Sequence, residues 1–223
     1  MFGCIVKYWW QFMLLALGCY LFASFNFAVL ISRLFEKKDI RSEGSHNPGT
    51  TNMFRVFGFL PGFATFILDL LKGLLCALVA RLIFNNIDSA TVTFASYFAG
   101  TFAVIGHIFP LFFHFQGGKG VATTLGIVAF LQPYFFLCLI IPSVIIIALT
   151  DRMSIFALFF VTVTVIYHWI MSALGLVAIE ESILFTIIFA LVVFAHRNNI
   201  KRLIKREELP MGLKKAFCKV FKK

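Results

Sequence analysis

Residues 121–150 read VATTLGIVAFLQPYFFLCLIIPSVIIIALT, an apolar run without a single charged side chain. A helix that crosses the hydrocarbon core of a membrane needs about 20 apolar residues. The run is therefore too long for one upright span and short for two. Gln132-Pro133 lies near its middle, and proline lacks the N–H group that a continuous helix requires. We therefore predict two short spans that meet at Pro133.

The composition of the whole chain places this run in a membrane. Of the 223 residues, 61% are hydrophobic and only 13% are charged, and the mean hydropathy is +0.94. A soluble domain of this size could not bury so much apolar surface, whereas lipid solvates the outer face of a membrane bundle. Further spans are predicted at residues 12–34, 56–84, 91–113, 154–171 and 182–195.

Lysine and arginine residues decide the orientation, because cytoplasmic loops carry an excess of them. A single span at residues 121–150 would put Lys119 and the basic C-terminal residues on opposite sides of the membrane. We therefore predict an all-α integral membrane protein with seven transmembrane helices, an outside N-terminus and a cytoplasmic C-terminus. The seven-span domain covers residues 1–205, and a basic cytoplasmic tail covers residues 206–223. The cytoplasmic cations would be Arg33, Lys37, Lys38, Arg41, Arg55, Lys119, Arg152 and the ten between Arg197 and Lys223.

Other classes of partner and cofactor find little support in the sequence. The net charge of +10 is concentrated in loops and in the tail, so anionic membrane lipid explains it better than nucleic acid. The five cysteines form neither a CxxC motif nor a Cys/His cluster, and we expect no metal and no cofactor. Lysines alternate with apolar residues at 214–223, which predicts a short amphipathic helix on the lipid surface.

The first polar segment on the predicted cytoplasmic side spans residues 39–55. It is rich in hydroxyl and amide side chains and ends in Arg55, whose guanidinium can hold an anion through two hydrogen bonds. Such a loop can present N–H and O–H donors to an anion. The alternative is a solvated turn in which Thr51 or Asn52 caps the following helix.

The second polar segment is the sequence GGKG at residues 117–120. Glycine lets backbone N–H groups approach an anion closely, and Lys119 supplies a point charge. This is not a Walker loop, because Phe113 stands where the leading glycine should be and Gly120 replaces the magnesium-binding hydroxyl residue. The segment suggests a phosphate site at the rim of the membrane. The alternative is a flexible turn with a lysine that snorkels to the surface.

Two further polar segments complete the predicted cytoplasmic face. The third begins with Arg152 and Ser154, and the fourth, residues 196–202, follows the last span. His196 and Asn199 are three residues apart, so a helix would place them on one face. The alternative for His196 is an interfacial residue that is hydrogen-bonded to a carbonyl group.

Ionisable residues also occur within the predicted spans. They are costly there and are usually paired. Asp69 and Lys72 are three residues apart, a spacing that allows an ion pair within one helix. We expect this pair, together with His107, to brace the polar loops from below and to take no direct part in chemistry.

Several of these elements, in this order, resemble the bacterial PlsY family, the acyl-phosphate:glycerol-3-phosphate acyltransferases. The matching segments are GSHNPGTTNMFR at 44–55, DLLKG at 69–73, GHIFP at 106–110, GGKGVAT at 117–123 and HRNNIKRL at 196–203. The likeness runs from about residue 24 to residue 208. It departs at His46, where the family commonly has glycine, at Thr50, where alanine is usual, and at Gln116, where lysine is usual.

The resemblance implies a multi-pass protein of the bacterial plasma (inner) membrane with its active site facing the cytoplasm. It implies transfer of a fatty acyl group from acyl phosphate to the 1-hydroxyl of glycerol 3-phosphate, giving lysophosphatidic acid and phosphate. The enzyme that makes acyl phosphate is a further candidate partner. By position, the resemblance implies His196, Asn199, Lys119 and Ser45 as catalytic residues. The substrate-binding residues that it implies are Arg55, Gly44, Asn47, Thr51, Asn52, Gly118 and, with the poorest local match, Ser154.

The general base and the class of function both leave alternatives open. No His-x4-Asp pair exists in the sequence, so the catalytic device of other glycerolipid acyltransferases is absent. His196 is one candidate base and a phosphate oxygen of a substrate is the other; we favour the substrate, with His196 orienting the acceptor. The competing class is a transporter or channel for an organic phosphate anion, which would also use a basic, glycine-rich site.

Overall fold

The computed structural model describes residues 2–212, with side chains from residue 5 onwards, so the amphipathic helix predicted at 214–223 lies outside the described residues. Within the described range the chain is helical and contains no β-strand. The helices are α1 (Phe2–Lys7), α2 (Trp9–Ala23), α3 (Phe27–Phe35), α4 (Thr50–Phe57), α5 (Phe59–Phe84), α6 (Ser89–Ile108), α7 (Val121–Leu131), α8 (Pro133–Thr150), α9 (Met153–Ala173), α10 (Ile179–Ala195) and α11 (Arg197–Ile204). The prediction of an all-α chain is confirmed.

Several helices of the described chain are long and apolar enough to cross a membrane. Five pass by length and composition: Trp9–Phe35, Phe59–Phe84, Ser89–Phe113, Pro133–Thr150 and Met153–Ala173. The pair α10 and α11, bent by 59°, makes a sixth when it is counted as one span. Helix α7 is apolar but has only 11 residues. The count of seven spans and the orientation of the termini therefore stay predictions.

The break predicted at Pro133 is confirmed. Helix α7 ends at Leu131 and α8 begins at Pro133, where the missing N–H group costs nothing because the first turn has no partner for it. The side chain of Gln132 covers the break by donating from Nε2 to the hydroxyl of Tyr97 at 2.8 Å. His168 lies 3.1 Å from the same hydroxyl, so three helices meet around one buried polar cluster.

Helices α5 and α7 lie in direct backbone contact, and two glycines permit it. A Cβ atom at Gly73 would lie 2.0 Å from the carbonyl oxygen of Thr123, and one at Gly126 would lie 2.0 Å from the carbonyl oxygen of Leu70. Small residues of this kind let membrane helices approach closely. The hydroxyl of Thr123 then donates to the carbonyl of Asp69 at 3.1 Å. This contact fixes the start of α7, and with it the preceding glycine loop, against α5.

The polar segments gather at one end of the bundle, where they line one cavity. That end, called the polar end below, contains the α3–α4 loop, the α6–α7 loop, the α8–α9 junction and the α10–α11 bend. Apolar clusters fill the interior, one around Phe160 and Phe185 and another around Phe12 and Phe84. The fold therefore brings together segments that are up to 160 residues apart in the sequence.

Replacing Gly126 with alanine tests the contact between α5 and α7. The added methyl group meets the Leu70 carbonyl, so we expect a loss of about 1–3 kcal/mol of stability. The readout is a lower midpoint of thermal unfolding in detergent. Gly18→Ala is the matched control. A Cβ atom there would meet no other atom within 4 Å, so the midpoint of thermal unfolding should stay at the native value. Equal midpoints for the two variants would contradict the packing argument.

Candidate active site

Asn52 organises the first wall of the site, the α3–α4 loop. Its side-chain NH2 donates to the carbonyls of Ile40 and Glu43, and its oxygen accepts the N–H of Ser45 at 2.9 Å. The amide is therefore used within the loop, and the alternative in which Asn52 caps α4 is wrong; the cap position belongs to Gly49, which makes no side-chain bond. Gly44 has a φ of +59°, and a Cβ atom there would meet the Asn52 oxygen at 2.4 Å.

His46, one of the departures from the resemblance described above, follows in the same loop. Its φ of 59° lies in the left-handed region, which glycine enters without steric cost. The side chain is exposed, with Nδ1 3.1 Å from the carbonyl oxygen of Arg41 in the same loop. The loop therefore accommodates the larger residue because His46 adopts a strained, left-handed backbone conformation.

The glycine loop forms the second wall, and its glycines serve packing first. A Cβ atom at Gly117 would lie 2.1 Å from the carbonyl oxygen of His107, and one at Gly118 would lie 2.2 Å from the Nε2 atom of His107. The N–H of Gly118 donates to the same carbonyl at 3.1 Å. This N–H group is therefore already satisfied by the carbonyl of His107. Only the side chain of Lys119 reaches across the site, where its ammonium donates to the Asn199 side-chain oxygen.

The bend between α10 and α11 places His196 and Asn199 beside each other in the third wall. His196 is the residue at the bend, and Asn199 lies in the first turn of α11. The Nδ1 atom of His196 lies 2.8 Å from the carbonyl oxygen of Val192, as in the interfacial alternative. Because a carbonyl only accepts, Nδ1 must carry the proton, and in the neutral ring Nε2 is left as an acceptor.

These walls enclose a cavity with about 790 Å³ of empty space, counting its mouth. It collects most of the residues that the sequence singled out. Those lining it are Ser45, Asn47, Thr51, Asn52, Arg55, Asp69, His107, Lys119, Ser154, His196 and Asn199. Gly44 is an exposed residue of the loop that does not line the cavity, and Lys72 is fully buried outside the lining. Gly118 lines a neighbouring cavity instead.

That neighbouring cavity shares a boundary with the first. Ser45, Asn47, Lys119, Asn199 and Arg202 line both cavities. One side of the second is formed by Phe109, Phe115 and Phe194. Lys119 therefore stands between two adjoining spaces, one of which combines polar groups with an aromatic wall.

A buried ion pair lies under the cavity. The ammonium of Lys72 is 2.8 Å from the carboxylate of Asp69, and the Nδ1 atom of His107 is 3.6 Å from it. The Phe27 ring lies 4.7 Å from the same ammonium, a distance typical of a cation–π contact. Because the Asp69 carboxylate is engaged by these groups, it does not neutralise the cations above it.

Residues 208–212, called the strap below, cross the mouth of the cavity, although the sequence analysis placed them in the tail. The Glu208 carboxylate accepts hydrogen bonds from Ser154, Asn199 and Arg202. The carbonyl of Pro210 accepts from Nε and Nη2 of Arg55 at 3.3 and 3.1 Å. Met211 and Gly212 donate their N–H groups to Asp151. The strap had one signal in the sequence: Glu207 and Glu208 are the only acidic residues after Glu181.

The electrostatics of the cavity favour an anion. Three cations line it, Lys119, Arg55 and Arg202, and the carboxylate that lies among them, that of Glu208, pairs with Arg202 at 2.8 Å. Burial lowers the pKa of Lys119 to about 8, while Glu208 opposes that shift. Burial would raise the pKa of Glu208, but the hydrogen bonds from Asn199, Arg202 and Ser154 outweigh it and hold this pKa below its usual value.

Comparison with known sequences points to one family. A family model described as glycerol-3-phosphate acyltransferase matches residues 13–206. A glycerol-3-phosphate acyltransferase of Finegoldia magna is 36% identical over 203 residues, which cover 89% of this chain and 96% of the relative. One from Halalkalibacterium halodurans is 37% identical over 205 residues, covering 91% and 96%.

Two solved structures of PlsY, an integral membrane glycerol 3-phosphate acyltransferase, share the fold. The glycerol 3-phosphate form superposes with a TM-score of 0.81 at 32% identity, covering 93% of this chain and 98% of that one. The lysophosphatidic acid form gives a TM-score of 0.76, also at 32% identity, covering 90% and 95%.

Binding of sulfate tests whether Lys119 provides the titrating charge of the cavity. Sulfate stays a dianion between pH 6 and 10, so any change in affinity reports the protein. Lys119 is charged below its pKa of about 8 and neutral above it, so we expect binding about tenfold weaker at pH 9.5 than at pH 7. Titration calorimetry measures this. In Lys119→Met, sulfate binding should be weak and nearly independent of pH between pH 7 and 9.5. If the sulfate affinity of the native protein did not change over this range, Lys119 would not be the titrating charge.

Proposed function

Because the chain belongs to the PlsY family of glycerol-3-phosphate acyltransferases, we propose that it acylates the 1-hydroxyl of glycerol 3-phosphate with acyl phosphate as donor. The chain is an integral membrane acyltransferase of phospholipid synthesis. To this we add two proposals, that acyl phosphate is the donor and that the 1-hydroxyl is the group acylated. The products are lysophosphatidic acid and inorganic phosphate.

The position of Lys119 between two adjoining cavities is the observation that carries this proposal. Both reactants are anions, and one of them also has a long apolar chain. The two cavities share Lys119, and only the second has the wall formed by Phe109, Phe115 and Phe194. An arrangement of this kind can hold two phosphate groups on either side of one ammonium. It also supplies the proximity that a reaction between two bound substrates requires.

The chemistry demands little covalent work from the protein. The hydroxyl oxygen of the acceptor attacks the carbonyl carbon of the acyl phosphate, and a new C–O ester bond forms. The bond from that carbon to the phosphate oxygen breaks, and phosphate leaves with the electron pair. Lys119 and Arg55 can offset the charge that develops on the carbonyl oxygen and on the leaving group. Before Arg55 can use its Nε and Nη2 atoms in this way, they must release the Pro210 carbonyl.

His196 is suited to orient the acceptor hydroxyl. Its Nδ1 proton is held by the Val192 carbonyl, so Nε2 can accept the hydrogen bond of a hydroxyl group. A phosphate oxygen of a bound substrate can then receive the proton as attack proceeds. We keep this substrate-assisted route as the proposal, with Ser45 and Asn199 as further contacts of glycerol 3-phosphate.

The proposed location is the bacterial plasma membrane, with the polar end facing the cytoplasm. Arg55, Lys119, Arg152 and Arg202 all lie at that end, which agrees with the excess of cations in cytoplasmic loops. Glycerol 3-phosphate is a soluble anion that reaches such a face directly. The enzyme that produces acyl phosphate would deliver its reactive product at the same surface.

Phosphate release by purified protein in lipid vesicles tests the donor. We expect release when acyl phosphate and glycerol 3-phosphate are supplied together, and none above background when acyl-CoA replaces acyl phosphate. The lipid product is followed by mass spectrometry. Equal turnover with acyl-CoA would refute the donor assignment. Accumulation of glycerol 3-phosphate inside the vesicles without phosphate release would instead support the transporter class.

His196→Ala separates an orienting role from a base role. An orienting residue contributes to binding of glycerol 3-phosphate as well as to transfer, so we expect both to weaken. Transfer should fall about 10- to 100-fold, the range for a hydrogen bond to a charged or buried group. Binding is measured by calorimetry on the same preparation. Loss of transfer with full retention of binding would identify His196 as the base and contradict the substrate-assisted route.

A further inference from the structure

Glu208 lies at the centre of a hydrogen-bond network that the reaction outlined above does not explain. Its side chain is buried, and both carboxylate oxygens are occupied. One oxygen accepts from the hydroxyl of Ser154 at 2.9 Å and from the NH2 group of Asn199, and the other accepts from Nε of Arg202 at 2.8 Å. The presence of a carboxylate in a cavity that attracts anions needs a structural explanation.

The amide of Asn199 supplies that reason, because an amide has two unlike ends. Its oxygen can only accept and its NH2 group can only donate. The ammonium of Lys119 needs an acceptor, whereas the ionised carboxylate of Glu208 needs donors. Both are satisfied only when the Asn199 oxygen points towards Lys119 and the NH2 group points towards Glu208, as the structure shows.

Two arginines hold the backbone of the strap around Glu208 in place. Nε of Arg152 donates to the Glu208 carbonyl at 3.3 Å, and Arg55 holds the carbonyl of Pro210 two residues later. The strap as a whole is therefore anchored to α4, to the start of α9 and to α11. A mobile tail residue would make no such set of bonds.

We propose that Glu208 is a positioning residue for acyl transfer, which fixes the amide of Asn199 and thereby holds the Lys119 ammonium between the two cavities. This role rests on the proposed function. Glu208 itself touches neither reactant in this account and acts through Asn199. Its second effect is electrostatic, since its negative charge pairs with Arg202 and also acts on Lys119 and Arg55.

Glu208→Gln removes both effects with little change of shape. The glutamine must turn its NH2 group either towards Arg202, which also donates, or towards Ser154 and Asn199. In the second case Asn199 must flip, and its NH2 group then faces the ammonium of Lys119. Either arrangement leaves donors opposed to donors in a buried site, which costs a full hydrogen bond or more.

The experiment compares Glu208→Gln and Glu208→Asp with the matched control Glu207→Gln. Glu207 is the exposed neighbour of Glu208, and its side chain is not among the residues that line the cavity. The kcat/KM for phosphate release from acyl phosphate and glycerol 3-phosphate is measured from pH 6.5 to 9.5. Monodisperse elution in detergent and the thermal midpoint establish that each variant is folded.

We expect Glu208→Gln to lower kcat/KM about 10- to 100-fold at pH 7. The basic limb of its pH profile should also move to lower pH, because the charge that opposes deprotonation of Lys119 is gone. Glu208→Asp keeps the charge but shortens the reach, so its basic limb should match that of the native protein while kcat/KM is intermediate. Glu207→Gln should behave as the native protein. The charged or titratable groups that line the two cavities with Lys119 are Arg55, Asp69, His107, His196, Arg202, Glu208, His46 and Arg197. Asp151 and Arg152 bond to the strap.

Native kcat/KM in Glu208→Gln, or a folded Glu208→Gln whose basic limb stays at the native pH, would overturn the role of Glu208 and leave the proposed function standing. If Glu208→Gln does not fold, Glu208→Asp carries the test, because unchanged kcat/KM in that variant contradicts positioning. Absence of transfer by the native protein with acyl phosphate would overturn the proposed function, and the role of Glu208 with it.

Discussion

The active site depends on a fixed position for the half-buried ammonium of Lys119 at the polar end. A lysine taken out of water loses hydration, and burial accordingly lowers its pKa to about 8. The Asn199 oxygen replaces part of that hydration, and Glu208 supplies the opposing charge. Arg55 and Arg202 add repulsion from the same cavity. The arrangement is stable only because backbone and side chains from several helices fix every partner.

The helix packing explains how that precision is reached beside hydrocarbon. Backbone contact at Gly73 and Gly126 fixes α7 on α5, and the glycine loop before α7 rests on His107 of α6. Since Lys119 follows two glycines that are wedged against α6, its backbone has little freedom. The ion pair of Asp69 and Lys72 lies directly below and is neutral as a unit. The charge of the cavity is thus set by the loops and the strap, whereas the spans set its shape.

Much of this could be predicted from the sequence, because the strongest signals were local. Hydropathy and proline predicted the helices and the break at Pro133, and the three-residue spacing of Asp69 and Lys72 predicted their pairing. Segregation of the cations placed the polar loops at one end, where the structure brings them together. The use made of Gly118 and Asn52 could not be predicted, since it depends on which atoms of other segments face them. Glu208 was missed for the same reason: its partner Ser154 is 54 residues away.

The distribution of polar groups also bears on whether the protein acts at one face or conducts an anion. A conducting path would need polar groups along the whole length of the bundle. The buried Asp69 and Lys72 pair with each other instead, and apolar clusters lie around Phe160 and Phe84. Beside the cluster around Phe160, Tyr97, Gln132 and His168 bond chiefly to one another and close the break between α7 and α8. The cations, by contrast, open onto two cavities at the polar end. A single-faced basic site of this kind favours two anions that meet and react over one anion that crosses.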